Sequence, residues 1–442
     1  MPEVDESDSE PRVRIGVLGC GNVGAALVGL IGTQGDMIEA RTGLRLEVAK
    51  VAVRNMSRER PVELAEGVLT NDAGAVVDDP TIDLVVEVIG GIEPARELIV
   101  QAVKSGKPVI TANKELLANH GAELFAVAEG ASVDLLFEAA VAGGIPLIRP
   151  LRESLAGEQV HRVLGIVNGT TNYILTRMSE DGATYGEALA EAQSLGYAER
   201  DPTADVEGYD AGAKAAIIAT IAFGVRVVAG DVYHEGISGI TPADITFAQR
   251  LGYEVKLLAI AESAAGADGV TEVAVRVHPA MVPSHHPLAS VRDSFNAVFI
   301  EGDAVGELMF YGRGAGGSPT ASAVLGDLID AAVNLRRGSH ATVGALTRAR
   351  IRPIDDVVSA YYLNLDVADQ PGVLARVAGV FGAHGVSIRS MEQEGLGGEA
   401  RLIFITHEAV ERDVQATLHD LRELDVVDRV GTVLRVIAAG AA

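Results

Sequence analysis

Hydrophobic and polar positions change their pattern along the chain. In the first third, five apolar stretches alternate with helical sequence, at 13–18, 46–55, 83–91, 108–114 and 133–144. Strands that are apolar throughout and alternate with helices are typical of a parallel sheet covered on both faces. The pattern predicts an α/β fold with a Rossmann-type doubly wound sheet over 13–150.

The alternation stops in the middle of the chain. An amphipathic helix at 184–197 is followed later by strand patterns at 272–282 and 296–312, which predicts a mixed α/β domain over 151–311 that holds substrate and pairs subunits. A helix at 320–334 is expected to pack back on the first domain, so that 312–340 completes it. His278, His285 and His286 have no metal-binding spacing and are interpreted as loop polarity.

The last part of the chain has a third pattern. Strand, helix, two strands, helix and strand follow one another over 358–442, which predicts a ferredoxin-like βαββαβ domain. The segment 342–357 is expected to be an exposed linker.

Composition narrows the class of partner. The net charge of −25 and the pI near 4.8 argue against nucleic acid or an anionic membrane. The single cysteine, Cys20, excludes an intrachain disulfide. Residues 1–12 are acidic without an apolar core and predict a disordered tail rather than a signal peptide. With no apolar run of about 20 residues, the sequence favours a cytoplasmic protein.

A glycine motif marks the end of the first strand. Gly19, Gly21 and Gly24 form G-x-G-x-x-G between a strand and a helix, the context that dinucleotide binding requires. The first glycine allows the tight turn, the second lets backbone approach a pyrophosphate, and the third lets helix and strand pack closely. Cys20 is interpreted as a small filler within this loop.

The second strand departs from the usual dinucleotide pattern. No acidic residue lies at the end of this strand, where one usually binds the ribose hydroxyl. Arg54 lies there instead, after an insertion at 33–44. A guanidinium there suits a 2′-phosphate, so NADP is slightly favoured over NAD. Farther on, Lys114 follows a strand end beside Thr111, where open α/β sheets bind ligands, and is expected to touch cofactor and substrate.

Acidic residues cluster before one apolar helix. Five carboxylates lie within the twelve residues 199–210, and the helix that follows carries Lys214 four residues after Asp210. This spacing places both on one helix face. A lysine entering a core beside so much acid is suited to proton transfer, and the cluster favours a small polar ligand that carries a positive charge. An ordinary helix salt bridge is the alternative.

Taken together, seven segments resemble homoserine dehydrogenase over about 13–350. They are GCGNVG, VIGGIEPA, TANKELLA, FEAAVAGGIP, GIVNGTTNYIL, GYAERDPTADVEGYDAGAKA and YGRGAGGSPTASAV. The resemblance implies interconversion of L-aspartate 4-semialdehyde and L-homoserine with NAD(P), on the route to threonine and methionine.

The resemblance also implies roles for individual residues. Lys214 matches the proton donor, and Lys114 the second lysine of the site. Glu199 and Asp210, with Asp205, match the positions that hold the amino-acid part of the substrate. The implied cofactor contacts are Asn22, Val23, Arg54, Thr111, Lys114, Gly196 and Gly316, in addition to the glycine motif. A monovalent cation, usually sodium, is implied at Glu138, Val141, Gly143 and Ile145.

The tail has its own resemblance. The turn Asp369–Gly372, D-Q-P-G, followed by a helix and by H-G-V-S-I, is similar to an ACT domain. Such domains pair side by side and bind amino acids, which implies feedback inhibition by L-threonine in a homodimer or homotetramer. The alternative is a dimerisation module alone.

Other functions compete with this interpretation. A cysteine-dependent aldehyde dehydrogenase fails because the only thiol lies in the phosphate loop. A non-catalytic amino-acid sensor is disfavoured because Lys114, Lys214, Glu199 and Asp210 are all present. Another NAD(P)-dependent amino-acid dehydrogenase remains open from the sequence.

Overall fold

The structure is a computed structural model that describes residues 12–266, 268–395 and 399–438. The predicted acidic tail lies outside the described residues except for Arg12, which begins the first strand. The strands are β1 Arg12–Leu18, β2 Arg45–Ala52, β3 Leu69–Thr70, β4 Leu84–Glu87, β5 Val109–Thr111, β6 Leu135–Leu136, β7 Val160–Ile166, β8 Tyr233–His234, β9 Tyr253–Ala265, β10 Thr271–Pro283, β11 Phe295–Gly302, β12 Gly306–Arg313, β13 Arg350–Ile351, β14 Val358–Ala368, β15 Ile388–Gly395, β16 Glu399–Thr406, β17 Ala409–Val410 and β18 Val427–Val436.

The α-helices cover the faces of these sheets. They are α1 Asn22–Thr42, α2 Ala73–Asp78, α3 Ala95–Lys104, α4 Lys114–Ala131, α5 Gly169–Asp181, α6 Tyr185–Ser194, α7 Thr203–Val206, α8 Tyr209–Phe223, α9 Pro242–Arg250, α10 Gly317–Arg337, α11 Val373–Ala383 and α12 Glu411–Arg422. Short 3₁₀ helices occupy Glu138–Ala140, Ala229–Asp231, Pro287–Ser290 and Ile354–Asp356, and a π-helical turn occupies Pro150–Ser154.

The first sheet confirms the predicted Rossmann-type fold. Its strands follow the order β3-β2-β1-β4-β5-β6, and every pair in it is parallel. This is the doubly wound order in which the sequence reverses direction between β1 and β4, the crevice where dinucleotides bind. Most of the insertion at 33–44 belongs to α1, which extends to Thr42.

Late sequence contributes to the core of this first sheet. Val324, Leu328 and Ala332 on α10 are buried with Ile15 of β1 and Leu27 of α1 in one hydrophobic cluster. Because α10 comes long after the sheet strands in sequence, the dinucleotide-binding fold is assembled from two distant pieces of chain.

The second sheet joins the middle of the chain to its tail. Its order is β12-β11-β7-β9-β10-β18-β14-β16-β15, and β10 pairs with β18 in parallel through Ala280↔Arg435 and Met281↔Val436. His278 lies buried within β10 rather than in a loop, which corrects the interpretation of that residue. Its burial lowers the pKa of the imidazole well below the usual value.

The tail forms the expected βαββαβ unit. Its four long strands take the order β18-β14-β16-β15, with antiparallel pairing throughout. One hydrophobic cluster, including Leu363, Phe381 and Leu418, packs α11 and α12 on this sheet. The ferredoxin-like topology is thereby confirmed.

Two compact units divide the chain. The first comprises 1–159, 216–230 and 310–348, and the second comprises 160–215, 231–309 and 349–442. The middle sheet and the tail thus belong to one unit. The boundaries expected from the sequence, with domains at 13–150, 151–311 and 358–442 and a linker at 342–357, remain predictions. No helix within the described ranges combines the length and hydrophobicity needed to cross a bilayer.

Candidate active site

The glycine loop of the first unit is shaped by close backbone packing. Gly19 has a φ of +105°, and a Cβ there would lie 2.8 Å from the Val88 carbonyl oxygen. A Cβ at Gly24 would lie 2.2 Å from the Gly19 carbonyl oxygen. Gly21, at the start of α1, faces open space with no heavy atom within 4 Å of an added Cβ. The loop therefore leaves room for a phosphate beside a helix N-terminus, with Asn22 and Val23 as the first helical residues.

Beside this loop lies a cleft of about 480 Å³ that is rich in guanidinium groups. It is lined by Gly19 and Gly21 of the loop and by Arg54, Arg58 and Arg60. Arg54 is exposed two residues after the end of β2. Burial raises the pKa of the Cys20 thiol despite the lowering effect of Arg60, so the thiol is favoured over the thiolate.

Sequence reasoning missed a buried acid at the carboxyl edge of this sheet. The Glu87 carboxylate, with no solvent exposure, accepts hydrogen bonds from the amides of Ile89 (2.8 Å) and Gly90 (3.1 Å) and from the Thr111 hydroxyl (2.6 Å). The group fixes the loop after β4 to the end of β5. An acid closing an apolar strand was the available signal.

Lys114 is half-buried at the first position of α4, next to that edge. Asn113 caps the helix by accepting from the Leu116 amide at 3.1 Å. The Asn113 amide nitrogen also donates to the Gly91 carbonyl oxygen at 2.6 Å. The start of α4 is thus fixed to the loop after β4, and Lys114 lies at this fixed helix start.

The residues expected to bind a cation lie in a loop held by Glu138. The Glu138 carboxylate accepts from the amides of Leu147 (2.5 Å), Ile148 (2.7 Å) and Arg149 (2.8 Å). The Asp327 carboxylate accepts in turn from the Glu138 amide at 2.7 Å. Burial raises the pKa of Asp327 to about 7, while Arg149 acts in the lowering direction.

The same loop has an unusual backbone. Ala142 and Gly143 are consecutive left-handed residues, each with a φ of +56°. A non-glycine residue in this region is strained and is often found at functional sites. A Cβ at Gly143 would lie 2.3 Å from the Gly314 carbonyl oxygen, so this loop packs directly on the loop before α10 that contains Gly316.

These features fit a site made of backbone oxygens. Val141, Gly143 and Ile145 lie in the irregular loop, whereas the carboxylate of Glu138 already accepts from three amides. Carbonyl oxygens of irregular loops suit hard cations. No group of three or more His, Cys, Asp or Glu side chains arranged for a metal is found in the described part of the chain.

The second unit contains the acid-rich segment and Lys214. The Lys214 ammonium donates to Asp210 Oδ2 and to the Val167 carbonyl oxygen, both at 2.7 Å. Both side chains of this ion pair are about nine-tenths buried. Removing either partner would leave a buried charge without its counterion. The expected i,i+4 pair therefore lies in the interior, unlike a solvated salt bridge.

Other acids of the segment differ in their surroundings. The Asp205 and Asp210 carboxylates both accept from the side-chain amide of Asn168, at 2.7 and 2.9 Å. Glu199 is exposed, and its backbone carbonyl oxygen accepts from Gln193. Gly196 has a φ of +77° at the turn that follows α6. Asn168 was missed by sequence reasoning because its partners are distant in the chain.

Comparisons with known proteins agree on one family. A family model described as homoserine dehydrogenase matches residues 146–329, its NAD binding domain matches 19–138, and an ACT domain matches 361–426. A homoserine dehydrogenase of Corynebacterium glutamicum is 52% identical over 426 residues, which cover 96% of this chain and 95% of that protein.

Solved structures give the same result. A homoserine dehydrogenase from Thiobacillus denitrificans has a TM-score of 0.90 at 42% identity, covering 96% of this chain and 98% of that one. A hyperthermophilic archaeal homoserine dehydrogenase in complex with NADPH has a TM-score of 0.61 at 29% identity, covering 73% of this chain and 98% of that one. The chain belongs to the homoserine dehydrogenase family, NAD(P)-dependent oxidoreductases, and carries a C-terminal ACT domain.

Proposed function

We propose that the chain reduces L-aspartate 4-semialdehyde to L-homoserine with NADPH or NADH, as a cytoplasmic step toward threonine and methionine. The observation that carries the proposal is the buried Lys214–Asp210 pair beside a second carboxylate, in a chain of this family. The substrate has an ammonium, a carboxylate and an aldehyde, so its site needs acids as well as cations.

The acids hold the amino-acid part of the substrate. Glu199, Asp205 and Asp210 bind its ammonium by charge-assisted hydrogen bonds. Lys214 stabilises the developing alkoxide and donates the proton to it, while Lys114 is the second lysine that contacts the substrate. In the reverse direction, Lys214 accepts the proton from the hydroxyl group of homoserine.

The cofactor binds at the glycine loop of the first unit. When bound, its nicotinamide supplies the hydride. Gly19, Gly21 and Gly24 leave space for the pyrophosphate, and Arg54 contacts a 2′-phosphate, which favours NADPH over NADH. The remaining proposed contacts are Asn22, Val23, Thr111, Lys114, Gly196 and Gly316. The structure of an archaeal relative in complex with NADPH supports a nicotinamide dinucleotide as the cofactor.

A monovalent cation, sodium in the first place, completes the proposal for the first unit. The strained backbone at Ala142–Gly143 and its packing on Gly314 support a cation held by Glu138, Val141, Gly143 and Ile145. The cation would stabilise the loop that adjoins Gly316. Its removal is expected to weaken cofactor binding.

The ACT domain is proposed to inhibit the enzyme when L-threonine binds near Asp369–Gly372, and to pair chains into a homodimer or homotetramer. Contacts inside the second unit support such coupling. Arg435 of β18 donates to Glu411 in the ACT domain (2.8 and 2.9 Å) and to Glu235, which follows β8 (2.7 Å). This network, in which Arg435 and Glu411 are buried, links the ACT sheet directly to the middle sheet.

Substrate comparison tests the proposal. NADPH oxidation is measured with L-aspartate 4-semialdehyde and with succinate semialdehyde, which lacks the ammonium. The acid-rich site predicts that loss of the ammonium lowers kcat/KM by about 100-fold, since charge-assisted bonds contribute about 1.5–3 kcal/mol each. Equal use of both aldehydes would contradict it.

Added L-threonine tests regulation separately, with Asp369→Ala expected to lose the inhibition and retain basal activity.

A further inference from the structure

Asn168 occupies the joint between β7 and α5, and both ends of its side-chain amide are engaged. Its Oδ1 accepts from the Thr171 amide at 2.9 Å, so Asn168 is the N-cap of α5. Its Nδ2 donates to Asp205 Oδ1 at 2.7 Å and to Asp210 Oδ2 at 2.9 Å. The residue is 5% exposed.

The orientation of this amide is fixed by chemistry. A backbone N–H can only donate, so the atom that faces the Thr171 amide must be the oxygen. The nitrogen therefore faces Asp205 and Asp210, which can only accept when ionised. A flipped amide would set donor against donor at one end and acceptor against acceptor at the other.

Two carboxylates that share one neutral donor are held together without adding a charge. Like charges at short range oppose each other, and each disfavours ionisation of the other. Two N–H groups from one nitrogen offset that repulsion and fix the direction of both carboxylates. A cationic side chain in place of Asn168 would add a second positive charge beside Lys214 and would compete with the ammonium that the acids are proposed to bind.

The backbone next to Asn168 holds the other member of the ion pair. Lys214 Nζ donates to the carbonyl oxygen of Val167 and to the same Oδ2 of Asp210 that accepts from Asn168. Val167 and Asn168 together therefore fix both partners of the Lys214–Asp210 pair.

The segment that carries Asn168 is itself rigidly anchored. A Cβ at Gly169 would lie 2.6 Å from the Ser294 carbonyl oxygen. Thr170 donates to the Tyr197 carbonyl oxygen at 2.7 Å, which ties the segment to the acid-rich loop. Asn172 donates to the Asp293 carbonyl oxygen at 2.9 Å. These contacts fix the position, within the second unit, of the hub formed by Asn168, Asp205, Asp210 and Lys214.

We infer that Asn168 is a positioning residue for the reaction: it aligns Asp205 and Asp210 so that they bind the substrate ammonium and leave Lys214 directed at the reacting oxygen. The inference rests on the proposed function. The Asn168 side chain has two roles: its Oδ1 caps α5, and its Nδ2 bridges the two carboxylates.

Three substitutions at Asn168 distinguish these two roles. Asn168→Ser retains a good N-cap and removes the bridge. Asn168→Asp also retains the capping oxygen, and it turns a third carboxylate toward the other two. Asn168→Ala removes both functions. Thr184→Ala, which deletes the N-cap of α6 away from the hub, is the matched control for cap loss alone.

The expected result is a loss of activity without a matching loss of fold. Asn168→Ser should lower kcat/KM for L-homoserine about 10–100-fold, with a raised KM and a reduced kcat, while its Tm falls less than that of Asn168→Ala and its Kd for NADPH stays close to wild type. Asn168→Asp should be at least as impaired. Thr184→Ala should lower Tm and keep kcat/KM.

If Asn168 only caps α5, the activities of the variants rank in a different order. In that case Asn168→Ser and Asn168→Asp would both match wild type, only Asn168→Ala would be impaired, and the inference would be overturned. Inactive wild-type enzyme that is folded and binds NADPH would instead overturn the proposed function. The two failures are therefore distinguishable.

Discussion

The glycine loop of the first unit and the acid-rich site of the second unit are held in shape by different interactions. In the first, the glycine loop takes its form from backbone packing, as in the contact of Gly24 with the Gly19 carbonyl. In the second, side chains from separate elements meet at Asn168, and the acids take their positions from it. A loop shaped by backbone packing is sensitive to added side-chain volume. A site held together by side chains is sensitive to the loss of one hydrogen-bonding group.

The largest effect is expected at the hub. Lys214→Ala removes the proposed proton donor and leaves the Asp210 carboxylate buried without its counterion. Turnover should fall by at least about 10²–10⁴-fold, the usual contribution of a general acid. The Kd for NADPH, measured by fluorescence titration, should change little. A variant that turns over normally but binds NADPH weakly would contradict the division of roles.

Added volume should damage the first unit selectively. Gly24→Ala places a methyl group against the Gly19 carbonyl, and overpacking of this kind costs about 1–3 kcal/mol. Its Kd for NADPH should rise about 10–100-fold. Gly29→Ala, on the same helix with no atom within 4 Å of the new Cβ, is the matched control and should retain wild-type affinity. Equal effects of both substitutions would show that helix propensity, not packing, decides.

Charge at the end of β2 should affect the choice of cofactor. Arg54→Ala removes a guanidinium from the nucleotide cleft. The ratio of kcat/KM for NADPH to that for NADH should fall about 10-fold, since a hydrogen bond to a charged group contributes about 1.5–3 kcal/mol. Arg58→Ala tests whether its neighbour shares this task. An unchanged ratio in both variants would exclude Arg54 and Arg58 as the source of NADPH preference.

The smallest effect concerns the stability of the second unit. Lys256 of β9 donates to the Val291 carbonyl oxygen, and burial lowers its pKa to about 8. The unfolded state holds more protons between about pH 8 and pH 10, so wild-type stability should rise with pH across this window. Lys256→Met should flatten the rise and gain about 1–3 kcal/mol near neutral pH, while keeping activity. Urea unfolding at several pH values measures both, and identical pH profiles would contradict the cause given.

Features that depend on neighbours in the chain were predictable from the sequence. The glycine motif, the i,i+4 relation of Asp210 and Lys214 and the ferredoxin-like tail are all local patterns. The hub was not predictable, because Asn168 is 37 residues from Asp205 and 42 from Asp210. Glu87 was missed for the same reason, since its bond to Thr111 spans 24 residues.

Two features of the structure complete this comparison. The insertion at 33–44 was expected to lengthen the spacing between the glycine motif and the end of the second strand, and α1 runs through it to Thr42. The tail was expected to form a domain over 358–442, a boundary that stays a prediction, and its β18 pairs with β10, so that its sheet continues the middle sheet. An edge strand with free backbone groups accepts such pairing regardless of side-chain pattern.

The most direct test of the account is to follow NADPH oxidation by the full-length protein with L-aspartate 4-semialdehyde and to quantify L-homoserine in the same reaction. The account predicts one homoserine formed per NADPH oxidised, with a slower rate for NADH. Folded protein that binds NADPH but forms no homoserine would contradict it.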